Sequence, residues 1–130
     1  MLCINLYKRS EKRELNNNKK TIMELTDYQI SALETAVYPE QYNIIYPALG
    51  MAGEAGEVAD KVKKVIRDNN SQFTEEKKRE IAKEIGDVLW YCAILAHDIG
   101  FSLEEVGRMN IDKLKSRQKR GKLFGSGDNR

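Results

Sequence analysis

The sequence predicts an all-α protein with the architecture of a four-helix bundle, and three observations support this. Apolar residues recur at spacings of three and four over most of residues 26–117, which is the period of an amphipathic helix. The alternating pattern of a half-buried strand is absent from the sequence. Breaks rich in Pro, Gly and Asn divide this region into four segments.

The first two helices are delimited by a capping pattern and by prolines. Thr26, with Gln29 three positions later, fits a capping box and begins a helix that runs to about Val37. The second helix is predicted over residues 48–67, with Pro47 near its first turn. The loop between them is rich in tyrosine.

The last two helices have clear start signals. Thr74 is the predicted N-cap of the third helix, which continues through Ile99 and stops at a glycine. Ser102, with Glu105 three positions later, fits a capping box and begins the fourth helix, which extends to about Arg117.

The chain of 130 residues fits one domain with an extension. Residues 1–22 are polar, basic and without period, so we expect a flexible N-terminal extension before a domain at 23–130; a functional basic arm is the alternative. Cys3 and Cys92 form no disulfide or zinc pattern, which favours a reducing, cytoplasmic setting. No apolar run is long enough to span a bilayer, so no membrane partner is expected.

Two pairs of acidic residues have the same three-residue spacing. Glu54 and Glu57 lie on the second predicted helix, and Glu84 and Asp87 lie on the third. The short connection between these helices makes them antiparallel neighbours, and each acidic pair flanks the apolar face of its helix. Facing carboxylates repel one another unless a cation lies between them, and Mg²⁺ prefers oxygen ligands. The pattern therefore predicts a magnesium site, with solvated helix surfaces as the alternative.

Three segments resemble a known family. GMAGEAGEVAD, EIGDVLWY and EEVGRMNIDKLKSR occur in this order, and the glycine-rich end GSGDNR follows them. The chain resembles the MazG-like family of all-α nucleoside triphosphate pyrophosphohydrolases, whose signature is E-x-x-E, a spacer and E-x-x-D. Here 26 residues separate Glu57 from Glu84, and the resemblance covers about residues 24–130.

The resemblance implies a reaction and a metal. A (deoxy)nucleoside triphosphate and water would give the monophosphate and pyrophosphate. Glu54, Glu57, Glu84 and Asp87 would be both the catalytic residues and the ligands of Mg²⁺, with Mn²⁺ as a substitute. One of the glutamates would also orient or deprotonate the attacking water.

The resemblance also implies substrate-binding residues. Those predicted to bind substrate are Lys61, Tyr91, Asn110, Lys113 and Arg117. Lys113 and Arg117 would contact phosphates, Asn110 a metal or a phosphate, and Tyr91 the sugar or a phosphate. The alternative for Lys113 and Arg117 is an exposed basic helix end. The alternative for Tyr91 is a buried tyrosine with a structural role. Lys61 would contact a phosphate or pair with Glu57, and the ion pair is favoured.

Other polar and aromatic residues are predicted to have mainly structural roles. Gln29, Asn43 and the tyrosines at 38–46 are candidates for base or sugar contacts, with packing as the favoured interpretation. Trp90 is expected to pack inside the protein or at a subunit contact. Asp60 should pair with Lys63 or Lys64.

Two other functions stay open. A phosphoribosyl-ATP pyrophosphatase shares the fold, and a helical binding module would use the basic ends of the chain to regulate or to bind nucleic acid. We do not expect a nucleic-acid partner, although the net charge of +2 argues neither way. The family implies a homodimer or homotetramer.

Overall fold

The computed structural model describes residues 22–128, so the extension predicted at 1–22 lies almost wholly outside the described part of the chain. The α-helices are α1 Leu25–Leu33, α2 Ile45–Asp68, α3 Glu75–Asp98 and α4 Leu103–Lys119, with a 3-10 turn at Glu40–Tyr42. No strand occurs among the described residues, and the predicted all-α fold is confirmed. Within the same residues, no helix has the length and apolar character needed to cross a membrane.

The starts of α3 and α4 agree with the sequence prediction, whereas α1 and α2 begin earlier than predicted. Thr74 Oγ1 accepts a hydrogen bond from the Lys77 amide, and Ser102 forms a complete capping box with Glu105. The capping box predicted at Thr26 and Gln29 is wrong, because the N-cap of α1 is Glu24, two residues before Thr26, and no side chain caps the helix. The Gln29 side chain is buried and bonds to other helices instead.

Helices α2 and α3 form an antiparallel pair. Met51 Sδ lies 3.5 Å from Cys92 Sγ, and Lys61 Nζ lies 3.5 Å from Glu84 Oε1. Residues further along α2 therefore contact residues earlier in α3. This is the antiparallel order that the short connection between the helices predicts. This pairing places the two acidic segments side by side.

The amide of Gln29 joins three helices at the core. Its Nε2 donates to the carbonyls of Ala93 and Phe101, at 3.0 and 3.3 Å, and its Oε1 accepts from the Leu103 amide at 3.0 Å. The cluster of buried apolar residues around it consists of Ala32, Ala93, Ile94 and Leu103. Because the side-chain amide of Gln29 has its hydrogen-bond partners inside the protein, Gln29 is a packing residue. Packing was the favoured interpretation of this residue, with a base or sugar contact as the other.

The apolar faces of α2 and α3 are only partly covered in one chain. Ile85 of α3 is 53% exposed, while Ala93 and Ile94 are fully buried. Helix α1 covers α3 near its C-terminal end, and α2 covers another side along its length. The remaining face of α3 has no covering helix among the described elements.

Candidate active site

Three carboxylates from two helices converge at the α2–α3 contact. One carboxylate oxygen each from Glu54, Glu84 and Asp87 lies within 4.8 Å of the others. Glu54 and Glu84 are partly buried and Asp87 is exposed, so the group opens to solvent on one side. Antiparallel pairing of α2 and α3 brings residues about thirty apart in sequence to the same level of the bundle.

Glu57, the fourth acid of the predicted signature, is not part of this group. Its side chain is exposed, one helical turn after Glu54. The charge of Glu57 contributes to raising the pKa of Lys64, although Asp60 is the main cause of that shift. Among the described residues, the compact group therefore contains three of the four predicted ligands.

Lys61 pairs across the helices and not along its own. The expected ion pair with Glu57 is wrong, because the ammonium of Lys61 lies 3.5 Å from Glu84 Oε1 on α3. Both side chains are about two-thirds or more buried, and their charges partly offset one another. Lys61 thus lies at the edge of the carboxylate group, and its role in binding substrate stays a prediction.

The chemistry of the three carboxylates fits a hard divalent cation. They offer only oxygen ligands, and the spacing of their atoms is compatible with a shared ion. Asp60, which lies on α2 with Glu54, is paired with both Lys63 and Lys64, as expected. These ion pairs lower the pKa of Asp60 to about 2. Asp60 therefore forms surface ion pairs with lysines of its own helix and is not part of the converging group.

Tyr91 connects the carboxylates to a group of aromatic rings. Burial raises the pKa of Tyr91, followed by a hydrogen bond with Tyr46 and by the negative charges of Glu54 and Asp87. The rings of Tyr46 and Tyr91 have centroids 6.3 Å apart, and Tyr38 stacks on Tyr46 at 4.8 Å. Tyr38, Tyr46 and Tyr91 therefore form a partly exposed aromatic wall that begins beside the carboxylate group.

The loop before α2 is held in place by Asp98. Its Oδ2 accepts from the Tyr38 hydroxyl at 2.7 Å and from the Ile44 amide at 2.9 Å. Ile44 has a φ of 69°, which is unusual for a β-branched residue, and the hydrogen bond from its amide to Asp98 compensates for this conformation. Asp98 therefore positions the aromatic wall.

Asn110 and Lys113 lie at a different cavity. They line an open cavity of about 340 Å³ together with apolar residues of α4 and of the turn before it. None of the three carboxylates lines this cavity, and α4 packs on α1 and α3. The structure of one chain therefore does not bring Asn110 and Lys113 into the carboxylate group.

Arg117 is buried, and its guanidinium bonds to the C-terminal segment. Its Nη2 donates to the Asp128 carbonyl at 2.8 Å, to Asp128 Oδ1 at 3.2 Å and to the Gly127 carbonyl at 3.4 Å. The exposed basic helix end, which was the alternative interpretation, does not describe this residue. A direct contact between Arg117 and a phosphate would therefore have to form beside these hydrogen bonds or replace one of them.

Several residues that build the site were not identified from the sequence. Gly50 underlies Tyr91, Asp98 holds the loop, and Asp128 contacts both C-terminal cations. No local signal in the sequence singles out these three residues, since glycines inside a helix also occur where nothing lies near a Cβ, as at Gly56. Trp90 donates to Thr35 Oγ1 at 2.8 Å, which agrees with a packing role, and His97 is exposed on α3.

Comparison with known proteins identifies the family. The family model described as the MazG nucleotide pyrophosphohydrolase domain matches residues 47–121, which is more than half of the chain. This chain belongs to the MazG family. The matched region contains all four acids of the signature together with α4.

A phage protein supports this assignment to the MazG family. The Gene 37 protein of Mycobacterium phage L5 is 43% identical over 114 residues, which cover 83% of this chain and 100% of that protein. No solved structure matches the chain. The family and the site together support nucleotide pyrophosphohydrolysis as the class of activity.

Proposed function

We propose that the protein hydrolyses (deoxy)nucleoside triphosphates to the monophosphate and pyrophosphate, with Mg²⁺ as cofactor and Mn²⁺ as a substitute. The observation that carries this proposal is the convergence of Glu54, Glu84 and Asp87 within 4.8 Å, inside the region that matches the MazG family. Three carboxylates at this spacing are costly without a bound cation. A triphosphate is a substrate that brings phosphate oxygens to such a cation.

The carboxylates bind the metal and orient water. Glu54, Glu84 and Asp87 would hold the ion, and Glu57, one turn along α2, has an exposed side chain that can turn towards the same place. Bound magnesium would neutralise triphosphate charge and lower the pKa of a water ligand. A glutamate carboxylate would accept a proton from the attacking water while the water oxygen bonds to the α-phosphorus and the bond from that phosphorus to the departing pyrophosphate breaks.

The remaining site residues bind the substrate. Lys61 is paired with Glu84 in the free protein. When a cation neutralises the Glu84 carboxylate, the Lys61 ammonium would pair with a phosphate of the substrate instead. The rings of Tyr46 and Tyr91 lie next to the carboxylates and would pack against the sugar. Asn110 and Lys113 would contact the polyphosphate. Because they line another cavity within one chain, we propose that they act in a homodimer or homotetramer.

The decisive experiment measures pyrophosphate release from a panel of deoxynucleoside and ribonucleoside triphosphates with magnesium. Glu54→Gln, Glu84→Gln and Asp87→Asn should each reduce turnover by at least about 100-fold, because even outer-shell partners of a metal contribute 10- to 100-fold. Magnesium should raise the melting temperature of the wild type and not of these variants.

Asp60→Asn is the matched control on α2. It removes one carboxylate that is paired with lysines away from the group, so its turnover should stay within roughly twofold of wild type. Absence of pyrophosphate release across the whole panel would contradict the proposed reaction. Equal losses in Asp60→Asn and Asp87→Asn would contradict the assignment of the site.

A further inference from the structure

The C-terminal segment folds back onto α4 and places a carboxylate on two cations. Asp128 Oδ1 lies 3.2 Å from Arg117 Nη2 and 3.6 Å from Lys113 Nζ. The charge of Lys113, followed by the hydrogen bond from Arg117, holds the pKa of Asp128 below its usual value. Lys113 and Arg117 are one helical turn apart on α4, so both can face a single anion.

The two cations hold the segment in different ways. Arg117 is 5% exposed and donates to two main-chain carbonyls as well as to the Asp128 carboxylate. Lys113 is partly exposed and contacts the carboxylate alone. The anchoring of the main chain therefore does not depend on the carboxylate, which is itself 86% exposed and can rotate away.

The Arg117 guanidinium also has unused hydrogen-bonding capacity. Its buried Nε–H finds no acceptor among the described residues. A buried N–H of a charged group is costly when it has no acceptor, and such groups are rare in folded proteins.

The glycines of the segment explain how it reaches this position. Gly125 and Gly127 have φ values of 109° and 84°, which side-chain-bearing residues rarely adopt. These two conformations turn the chain back onto α4, so that Asp128 meets the cations. The sequence GSGD therefore provides both the turn and the anion.

We propose that Lys113 and Arg117 form a polyphosphate-binding site that the Asp128 carboxylate occupies in the free protein. A phosphate group of the incoming substrate displaces the carboxylate from Lys113, while the main-chain bonds to Arg117 keep the segment docked. This inference rests on the proposed function for the identity of the ligand as a triphosphate. It makes Asp128 an internal competitor of the substrate for these two cations.

The test measures binding of inorganic tripolyphosphate by calorimetry in EDTA, without metal or turnover. Asp128→Asn should bind it roughly 2- to 5-fold more tightly than wild type, because an exposed ion pair competes only weakly. Asp112→Asn is the matched control, since it removes the same charge from a neighbouring exposed position on α4. It should change the affinity much less than Asp128→Asn does.

A second background checks that Lys113 is the group released. In Lys113→Gln, the further change Asp128→Asn should give no gain in affinity. Equal affinity gains in Asp128→Asn and Asp112→Asn, weaker binding by Asp128→Asn, or no tripolyphosphate binding by any variant would each overturn the inference.

The proposed function is tested separately by wild-type turnover with magnesium. Turnover without tighter tripolyphosphate binding by Asp128→Asn overturns only the role of Asp128. Tighter binding in a protein without turnover supports the anion site and contradicts the reaction.

Discussion

At the scale of single residues, Gly50 is the position where the site tolerates least change. A Cβ added to Gly50 would overlap the ring of Tyr91, which bonds to Tyr46 beside the carboxylate group. Gly50→Ala should therefore destabilise the protein by about 1–3 kcal/mol, the usual cost of overpacking. It should also raise the KM for nucleotides, because the displaced ring no longer packs beside the carboxylates. Urea unfolding and steady-state kinetics measure the two effects.

The control for Gly50 is a glycine on the same helix with open space around it. Nothing lies within 4 Å of a Cβ built at Gly56, so Gly56→Ala should stabilise α2 by about 0.5–1 kcal/mol through its better helix propensity. If Gly50→Ala also stabilises the protein, the contact between Gly50 and Tyr91 does not constrain the site.

The acidic residues show what spacing can predict and what it cannot. Three-residue spacing places Glu84 and Asp87 on one face of α3, and the antiparallel pairing expected from a short connection brings them to Glu54 on α2. It could not predict that Glu57 stays outside the group, because that depends on the rotation of α2 against α3. Lys61 shows the same limit, since local spacing favoured Glu57 while the neighbouring helix supplied Glu84.

At the scale of elements, the loop before α2 depends on one side chain of α3. Asp98 accepts hydrogen bonds from Tyr38 and from the strained Ile44 amide. Asp98→Ala should destabilise the protein by about 2–3 kcal/mol, because it leaves two donors without their charged acceptor. Tyr38→Phe removes one of these bonds and should cost about 1 kcal/mol. In the Asp98→Ala background, Tyr38→Phe should cost almost nothing, and an unchanged cost there would contradict the coupling.

The same contact predicts a dependence of stability on alkaline pH. Burial raises the pKa of Tyr38 above the ordinary value of 10.0, and the hydrogen bond to Asp98 raises it further. Above pH 10 the unfolded chain loses this proton while the folded chain retains it, so the contribution of Tyr38 to stability is full below that pH and declines above it. Urea unfolding between pH 8 and pH 11 should show a smaller decline in Tyr38→Phe than in wild type.

Helix starts were predictable where the capping side chain has no competing partner. Thr74 and Ser102 are at chain turns where local hydrogen bonds decide the geometry, and both cap as the sequence predicts. Gln29 has the right spacing for a capping box with Thr26, but its amide satisfies backbone groups of two other elements. Tertiary hydrogen bonds across 64 and 74 residues cannot be derived from local spacing.

At the scale of the whole molecule, the exposed face of α2 is unusually apolar. Ile45, Leu49 and Ile66 are 58%, 70% and 58% exposed, and they share this face with Ala52 and Ala59. Ile85 and Leu89 are exposed on the neighbouring α3. An apolar surface of this kind is typical of a protein–protein contact. The helix pattern could predict an amphipathic α2, and the structure adds that a second apolar face of α2 has no partner among residues 22–128.

This face predicts how the proposed oligomer can be disrupted. If it is the contact between copies, Leu49→Glu places a charge in an apolar interface and should weaken association by at least about 100-fold, since burial of an unpaired charge costs several kcal/mol. Val37→Glu is the control, because Val37 is 92% exposed and lies outside this face. Light scattering coupled to size exclusion should show monomers for Leu49→Glu and oligomers for Val37→Glu and wild type. An unchanged mass for Leu49→Glu, or a monomeric wild type, would contradict the prediction. If Asn110 and Lys113 reach substrate only across subunits, the monomeric variant should also lose pyrophosphate release while its carboxylates stay intact.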